Sequence, residues 1–273
     1  MPSELKLPFA LRLIRKLNPP RKLGLLEALY GRFLASHGIR WVKCSNGITW
    51  KLDLADPTHR WIVFGDYEGG IGLDFARKVL RNGGIFVDSG SNIGQWLLYL
   101  AALPDVQTLA IEPVQSQRRW LEECLGLQTG WRCTTLAWGL GSKDCELEIQ
   151  CDGARSTLRK DWYNSKQLSK EIIRVRKLDD ILDEQGIESV QLWKLDVEGA
   201  EHDALLGAVH SLRSHRVKHL YFECHPSTYP LNKDLLEGFG YRLFDLDRHG
   251  LRPKCDPEIP YTQDLVAMLR ATA

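Results

Sequence analysis

At 273 residues with an apolar share of 44%, the chain has room for one large α/β domain carrying an N-terminal extension, with a substantial core. Its 36 Lys plus Arg stand against 35 Asp plus Glu, a balance that gives no reason to expect nucleic-acid wrapping and suits a small-molecule site. Seven cysteines without a C-x-x-C pair argue against a disulfide framework or a zinc finger and read as reduced thiols of a cytosolic protein.

The chain opens without the basic stretch, apolar core and cleavage site of a signal peptide. No apolar run reaches the ~18 residues of a membrane span. Between residues 5 and 43, the cations Lys6, Arg12, Arg15, Lys16, Arg21, Lys22, Arg32, Arg40 and Lys43 face only Glu27. Apolar spacing at Phe9, Leu11, Leu13, Ile14 and Leu17, and again at Leu23, Leu25, Leu26, Leu29 and Phe33, predicts two short helices split by Asn18-Pro19-Pro20. Residues 1–43 thus read as a basic helical extension and residues 44–273 as the main domain. The extension is either an amphipathic arm for a membrane surface or an acidic partner, or a helical cap whose charges simply face water.

A small hairpin is expected over Trp41 to Asp53, with Asn46-Gly47 as its turn and alternation from Ile48 to Asp53. The polar patch Asp66-Tyr67-Glu68-Gly69-Gly70 precedes a helix from Leu73 to Leu80, which Gly83-Gly84 ends. Strands are then expected at Ile85–Asp88, Thr108–Glu112, Arg132–Ala137, Val190–Asp196 and His219–Glu223, with helices at Ile93–Leu103, Val114–Leu125 and Ala200–Leu212. A polar excursion of short strands fills Cys145–Val175. This alternation implies a doubly wound parallel α/β sheet. Two last strands, Tyr241–Leu246 and Asp264–Leu269, have no helix between them and read as an antiparallel pair.

Two apolar runs end in acids and small residues, Phe86-Val87-Asp88-Ser89-Gly90-Ser91-Asn92-Ile93-Gly94 and Leu192-Trp193-Lys194-Leu195-Asp196-Val197-Glu198-Gly199-Ala200-Glu201. Parallel strands deliver such groups to the carboxyl edge of an open sheet, where ligands bind. Gly90, Gly94 and the small Ser91 would let that turn approach a ligand closely. Asp88 would accept hydrogen bonds there, and Asn92 offers both donor and acceptor. Glu112 ends the next strand before Pro113, placed to accept from both ribose hydroxyls of a nucleoside. The alternative is that the glycines only shape the turn and Glu112 is a surface acid at a helix start. The turn lacks the G-x-G-x-x-G spacing of a dinucleotide site, which favours S-adenosylmethionine over NAD.

On Tyr67-Glu68, Val87 to Gly94, Ile111-Glu112-Pro113, Leu178-Asp179-Asp180, Lys194 to Glu201 and Phe222-Glu223-Cys224-His225, the chain resembles the FkbM-type S-adenosylmethionine-dependent methyltransferases over about residues 65 to 270. Ser91 departs from the family's more usual Ala. The resemblance implies a class I methyltransferase fold, Rossmann-like, with seven strands and the last antiparallel. It also implies methyl transfer to a hydroxyl on a sugar, glycan or secondary metabolite. The expected cofactor contacts are Glu68, Asp88, Gly90, Ser91, Asn92, Gly94, Glu112 and Pro113.

A neutral hydroxyl is a poor nucleophile, so a general base is expected near the transfer axis. Asp196, at the end of the fourth strand, and His225, after the fifth, are the candidates, with His225 suited to proton removal or else simply satisfied in its loop. Asp196, Glu198, Glu201 and His202 are types that bind divalent cations, but a strand-to-helix turn aims them apart, so no metal is expected. Lys194 is expected to pair with a neighbouring acid. Arg155, in the polar stretch Asp152 to Thr157, suits either an anionic acceptor or open solvent. Two other functions fit less of the pattern: an NAD-dependent dehydrogenase, and a nucleoside-binding regulatory module without turnover.

Overall fold

The computed structural model describes residues 4–17, 19, 21–44, 47–151 and 169–269. Helices α1 (Phe9–Ile14) and α2 (Lys22–Ala35) lead into a hairpin of β1 (Ile39–Lys43) and β2 (Thr49–Asp53). Helices α3 (Pro57–Phe64) and α4 (Ile71–Val79) follow, separated by a short 3₁₀ turn at Tyr67–Gly69. The alternating stretch then runs β3 (Gly84–Ser89), α5 (Leu97–Ala101), β4 (Val106–Ile111), α6 (Gln115–Leu125) and β5 (Arg132–Leu136). A small separate sheet is built from β6 (Gly139–Leu140), β7 (Cys145–Cys151) and β8 (Ser169–Arg176). The chain returns through α7 (Leu178–Glu184), β9 (Leu192–Leu195), α8 (Glu201–Leu206), α9 (Val209–Arg213), β10 (His219–Cys224) and α10 (Tyr229–Gly238). It finishes with β11 (Tyr241–Asp247), β12 (Gly250–Pro253) and β13 (Gln263–Leu269).

The main sheet has the order β12-β11-β13-β10-β9-β3-β4-β5. Strands β3, β4, β5, β9 and β10 are mutually parallel, and β13 runs antiparallel between β10 and β11. The chain starts at β3, winds out to β5, then returns to β9 on the other side of β3. This reversal opens a crevice at the carboxyl ends of β3 and β9, where open α/β sheets bind ligands. It is the seven-stranded class I methyltransferase arrangement with one addition, β12, which pairs with the outer edge of β11.

Because successive strand residues point to opposite faces, the sheet sorts its apolar residues into two cores. Phe86, Ala110, Leu192, Tyr221 and Val266 belong to one, while Val87, Leu109, Trp193, Leu220 and Phe222 belong to the other. Leu7, Leu11, Leu26 and Leu34 of the N-terminal region join the first core. Arg15 donates to the carbonyls of Val63 (2.7 Å) and Ile62 (3.0 Å), and Lys22 donates to that of Gly65 (3.1 Å). Two cations of the extension therefore donate to carbonyls at the end of α3, and Arg60 of α3 pairs back to Glu27 of α2.

Some boundaries differ from those predicted. The helix expected from Ile93 begins only at Leu97, because Asn92 (φ +51°) and Gly94 (φ +93°) are left-handed and a right-handed helix cannot pass through them. The helix expected over Ala200–Leu212 is divided into α8 and α9. Its break falls at Gly207, whose missing side chain makes room for the Gly141 carbonyl. The expected final antiparallel pair is present as β11 and β13, with β12 inserted between them in sequence. No helix among the described residues is long and apolar enough to cross a membrane, and Cys44, Cys124, Cys133, Cys145, Cys224 and Cys255 are free thiols.

Candidate functional site

A cleft of about 260 Å³ opens at the carboxyl ends of β3, β4 and β9. Asp88, Gly90, Ser91, Asn92, Glu112 and Pro113 line one part of it, together with Trp138 and the small-sheet residues Ile149, Ile173 and Val175. Lys194, Asp196, Val197 and Glu198 line it as well, with Thr58, Trp61, Tyr67 and Trp96. Among the described residues, four carboxylates and a single lysine thus share a space with four large aromatic side chains.

Asp88 and Lys194 are direct register partners on β3 and β9, so their side chains share one face of the sheet. Asp88 is 1% exposed and Lys194 7%. The Lys194 ammonium stands 2.9 Å from Asp196 and 3.7 Å from Asp88 Oδ1, which accepts no hydrogen bond from the protein. Burial pushes the Asp88 carboxyl up to about 6, with Lys194 pulling it down and Asp196 adding repulsion. Burial works against the Lys194 charge too, but Asp196 and Asp88 outweigh it and hold the ammonium above its ordinary range. Trp96 lies beneath the Lys194 ammonium, 5.9 Å from it, and packs on Tyr221 with ring centroids 4.7 Å apart.

Glu112 follows β4 directly, and its carboxylate ties the cleft's first turn together. One oxygen accepts from the Asn92 amide at 2.8 Å, and the other accepts from the Val114 amide at 2.9 Å. The group is 6% exposed. Burial raises it to about 7 against the pull of those two amides. Both oxygens keep lone pairs for ligand hydroxyls, since a carboxylate has about four acceptor sites.

The glycines act on the protein before they act on a ligand. A Cβ at Gly90, where φ is +75°, would overlap the Asp196 carbonyl oxygen, so this glycine lets the β3 and β9 loops meet. Gly94 does not line the cleft. A Cβ there would lie 2.7 Å from Leu121 Cδ1, so its role is to seat α6 against the turn. Ser91 places its hydroxyl 2.6 Å from the Asp88 carbonyl and closes the turn locally.

Glu68 and His225 also lie away from the cleft lining. Glu68 turns toward the extension, 3.4 Å from the buried Arg15. His225 Nδ1 accepts from the Ser227 amide at 3.2 Å and lies 2.7 Å from the Ser227 hydroxyl, engaged in its own turn before α10. Glu201 accepts from the Val197 and Gly199 amides at 2.9 and 3.1 Å, folding the loop after β9 back on itself. His202 Nδ1 meets Asn232 Oδ1 at 2.7 Å, so the acids and histidine of this segment point to separate partners. Arg155 and the stretch Asp152 to Thr157 lie outside the described residues.

Glu223, quoted in the motif Phe222-Glu223-Cys224-His225, was given no role of its own from the sequence. It is the register partner of Asp264, and it follows Phe222, whose pairing with Leu195 is the last of the parallel β9–β10 register. Burial pushes its carboxyl up to about 8, with repulsion from Asp196, Glu201, Glu198 and Asp264 adding to it. An acid ending an apolar strand in the same manner as Asp88 was the available signal, but the adjacent His225 drew the proton role.

Residues 88–246 match the model of the methyltransferase FkbM domain. The chain is 29% identical over 170 residues to the AMB antimetabolite synthetase AmbE of Pseudomonas aeruginosa, covering 47% of this chain and 8% of that one. It is 30% identical over 141 residues to Methyltransferase 1 of Beauveria bassiana, covering 44% of this chain and 57% of that one. In both cases it spans less than two thirds of the relative's length. Among solved structures, a METTL16 methyltransferase domain aligns over 92% of each chain at 12% identity and a TM-score of 0.47. Magnesium protoporphyrin IX methyltransferase from Synechocystis PCC 6803 with bound SAM aligns over 93% of this chain and 100% of its own at 11% identity and a TM-score of 0.44. With its family match running from Asp88 at the end of β3 to Leu246 in β11, the chain belongs to the FkbM methyltransferase family.

Proposed function

We propose that the cleft binds S-adenosylmethionine and that the enzyme transfers its methyl group to a hydroxyl of a sugar, glycan or secondary metabolite. The observation that carries this reading is the lining itself: among the described residues, Asp88, Glu112, Asp196 and Glu198 against Lys194 alone, with Trp61, Tyr67, Trp96 and Trp138. A ligand with a sulfonium and an ammonium gains from carboxylates and aromatic faces. A dinucleotide pyrophosphate would meet four carboxylates, without a helix N-terminus where α5 starts late.

The residues present fit this cofactor. Glu112 is placed to accept from ribose hydroxyls while its two backbone bonds hold the turn. Asp88 has a buried oxygen in need of a donor, which a ligand ammonium or an ordered water would supply. The bound cofactor provides an electrophilic methyl group and a neutral leaving sulfide. The chain itself must position the acceptor and hold one proton, and positioning is worth several kcal/mol.

Asp196 is the proton acceptor this geometry favours. It lines the cleft 2.9 Å from the Lys194 ammonium, and its charge acts on Glu223 of the next strand. His225 has its Nδ1 committed to Ser227 and lies outside the lining. An acceptor entering between Asp196 and the Trp61–Tyr67 wall would meet both a carboxylate and an apolar surface, a combination that suits a hydroxylated carbon skeleton. The test is transfer of labelled methyl from S-adenosylmethionine to a panel of glycans and hydroxylated metabolites. Label in a methyl ether of one acceptor class is the expected result. Label only in amines or nucleic acid overturns the hydroxyl assignment, and tight cofactor binding with no transfer to any acceptor points to a non-catalytic module.

A further inference from the structure

The N-terminal helices have two apolar sides, and the core of the domain covers only one. Leu7 and Leu11 are buried, with Arg15 one turn later also buried. Two residues out of phase, hence on the opposite side of the helix, Phe9 (68% exposed), Leu13 and Leu17 face outward, Leu17 in the turn after α1. On α2, Leu26 and Leu34 are buried while Leu25, Leu29 and Phe33, each four residues from the next, are exposed. A helix whose inward face is already packed has no internal use for a second apolar stripe.

Charge identifies what suits this outer side. Of the nine cations between residues 5 and 43, Arg15 and Lys22 are consumed as caps of α3, and Lys6, Arg12, Lys16, Arg21, Arg32, Arg40 and Lys43 are exposed. Glu27, the one acid in that span, is paired with Arg60.

Counted from the sequence, the residues outside 5–43 hold 27 Lys plus Arg against 34 Asp plus Glu, so the remainder of the chain is net acidic and the basic character is local to the arm.

We propose that the outer side of α1 and α2 docks on an anionic membrane surface, its apolar side chains entering the headgroup boundary and its cations meeting lipid phosphates and carboxylates. A second copy of the chain is the poorer occupant, since seven exposed cations on each partner would be brought together. The arm is held rigidly to α3 through Arg15, Lys22 and the Arg60–Glu27 pair. Because α3 also supplies Thr58 and Trp61 to the cleft, the docked arm and the cleft move as one body.

The test is sedimentation of the full chain with vesicles of phosphatidylcholine alone or with about 30% phosphatidylserine. Binding to the anionic vesicles only, weakened as salt rises from about 0.1 to 1 M, is expected. The triple variants Leu25→Ser/Leu29→Ser/Phe33→Ser and Arg12→Glu/Lys16→Glu/Arg32→Glu, all at exposed positions, should each bind at least about tenfold more weakly. Absence of binding by the unaltered chain overturns the proposal. So does equal binding to both vesicle types, a patch-dependent dimer that ignores vesicles, or capture by an acidic protein without lipid binding. Cofactor affinity measured in solution is a separate readout, so failure here leaves the reading of the cleft standing.

Discussion

Lys194 and Asp88 are cross-strand partners buried at the switch point of the sheet, 3.7 Å apart. Among the described residues that line the cleft, the lysine is the one cation, set among four carboxylates. Replacing it in Lys194→Met leaves Asp88 without a counter-charge, a change that costs about 3–5 kcal/mol when a buried pair loses one member. Urea unfolding should show the loss, larger at pH 8 than at pH 5, because Asp88 escapes the penalty by protonating. A variant as stable as the parent at pH 8 would show that the pair carries no electrostatic weight.

Glu112→Gln keeps the shape of the side chain and removes its charge. Calorimetry with S-adenosylhomocysteine should show affinity reduced by about 1.5–3 kcal/mol, the range for hydrogen bonds to a charged group. An unchanged dissociation constant would remove the ribose role and leave Glu112 as the tie between Asn92 and Val114.

Asp88, Glu112 and Glu223 are raised to about 6, 7 and 8. A raised carboxyl holds its proton in the folded state after the unfolded chain has released it, so stability falls as pH rises from the ordinary carboxyl range through these values. The ligand-free protein should therefore be more stable near pH 5 than near pH 8. A cationic ligand favours the ionised acids, so its affinity should rise over the same interval with release of protons, measurable by calorimetry in buffers of different ionisation heat. Proton uptake on binding would reverse the sign and contradict the assignment.

Gly90→Ala forces a side chain against the Asp196 carbonyl from a left-handed backbone. Left-handed geometry alone costs about 1–2 kcal/mol, and the overlap adds to it. Thermal melting should fall and cofactor binding should weaken together, since the loops after β3 and β9 can no longer meet. Normal melting and binding would show that the two loops separate freely.

Asp196→Asn should lower methyl transfer by about 10²–10⁴-fold, the span of general-base catalysis, with cofactor affinity much less affected. His225→Ala should retain most activity. The opposite pattern would return the proton role to the histidine.

Much of the fold was legible because burial leaves a periodic record. The apolar runs at Phe86, Leu109, Trp193 and Phe222 became the central strands, and the acids ending them reached one edge, as parallel strands require. The roles of individual residues were less legible. Gly94 packs against Leu121 and Glu68 against Arg15, contacts between segments far apart in sequence that local spacing does not encode. Helix α5 starts late because two left-handed residues precede it, and asparagine gives only a weak signal for that geometry. Arg15 and Lys22 belong to a basic run whose other members are exposed, so nothing local distinguished the two that cap α3.

The most direct measurement is calorimetric titration of the full chain with S-adenosylhomocysteine and, separately, with NAD. Saturable one-to-one binding of the first, absent for the second and weakened by Glu112→Gln, is the predicted result. No binding of the adenosyl ligand, or binding of NAD in its place, would contradict an acidic, aromatic cleft selected for a sulfonium cofactor.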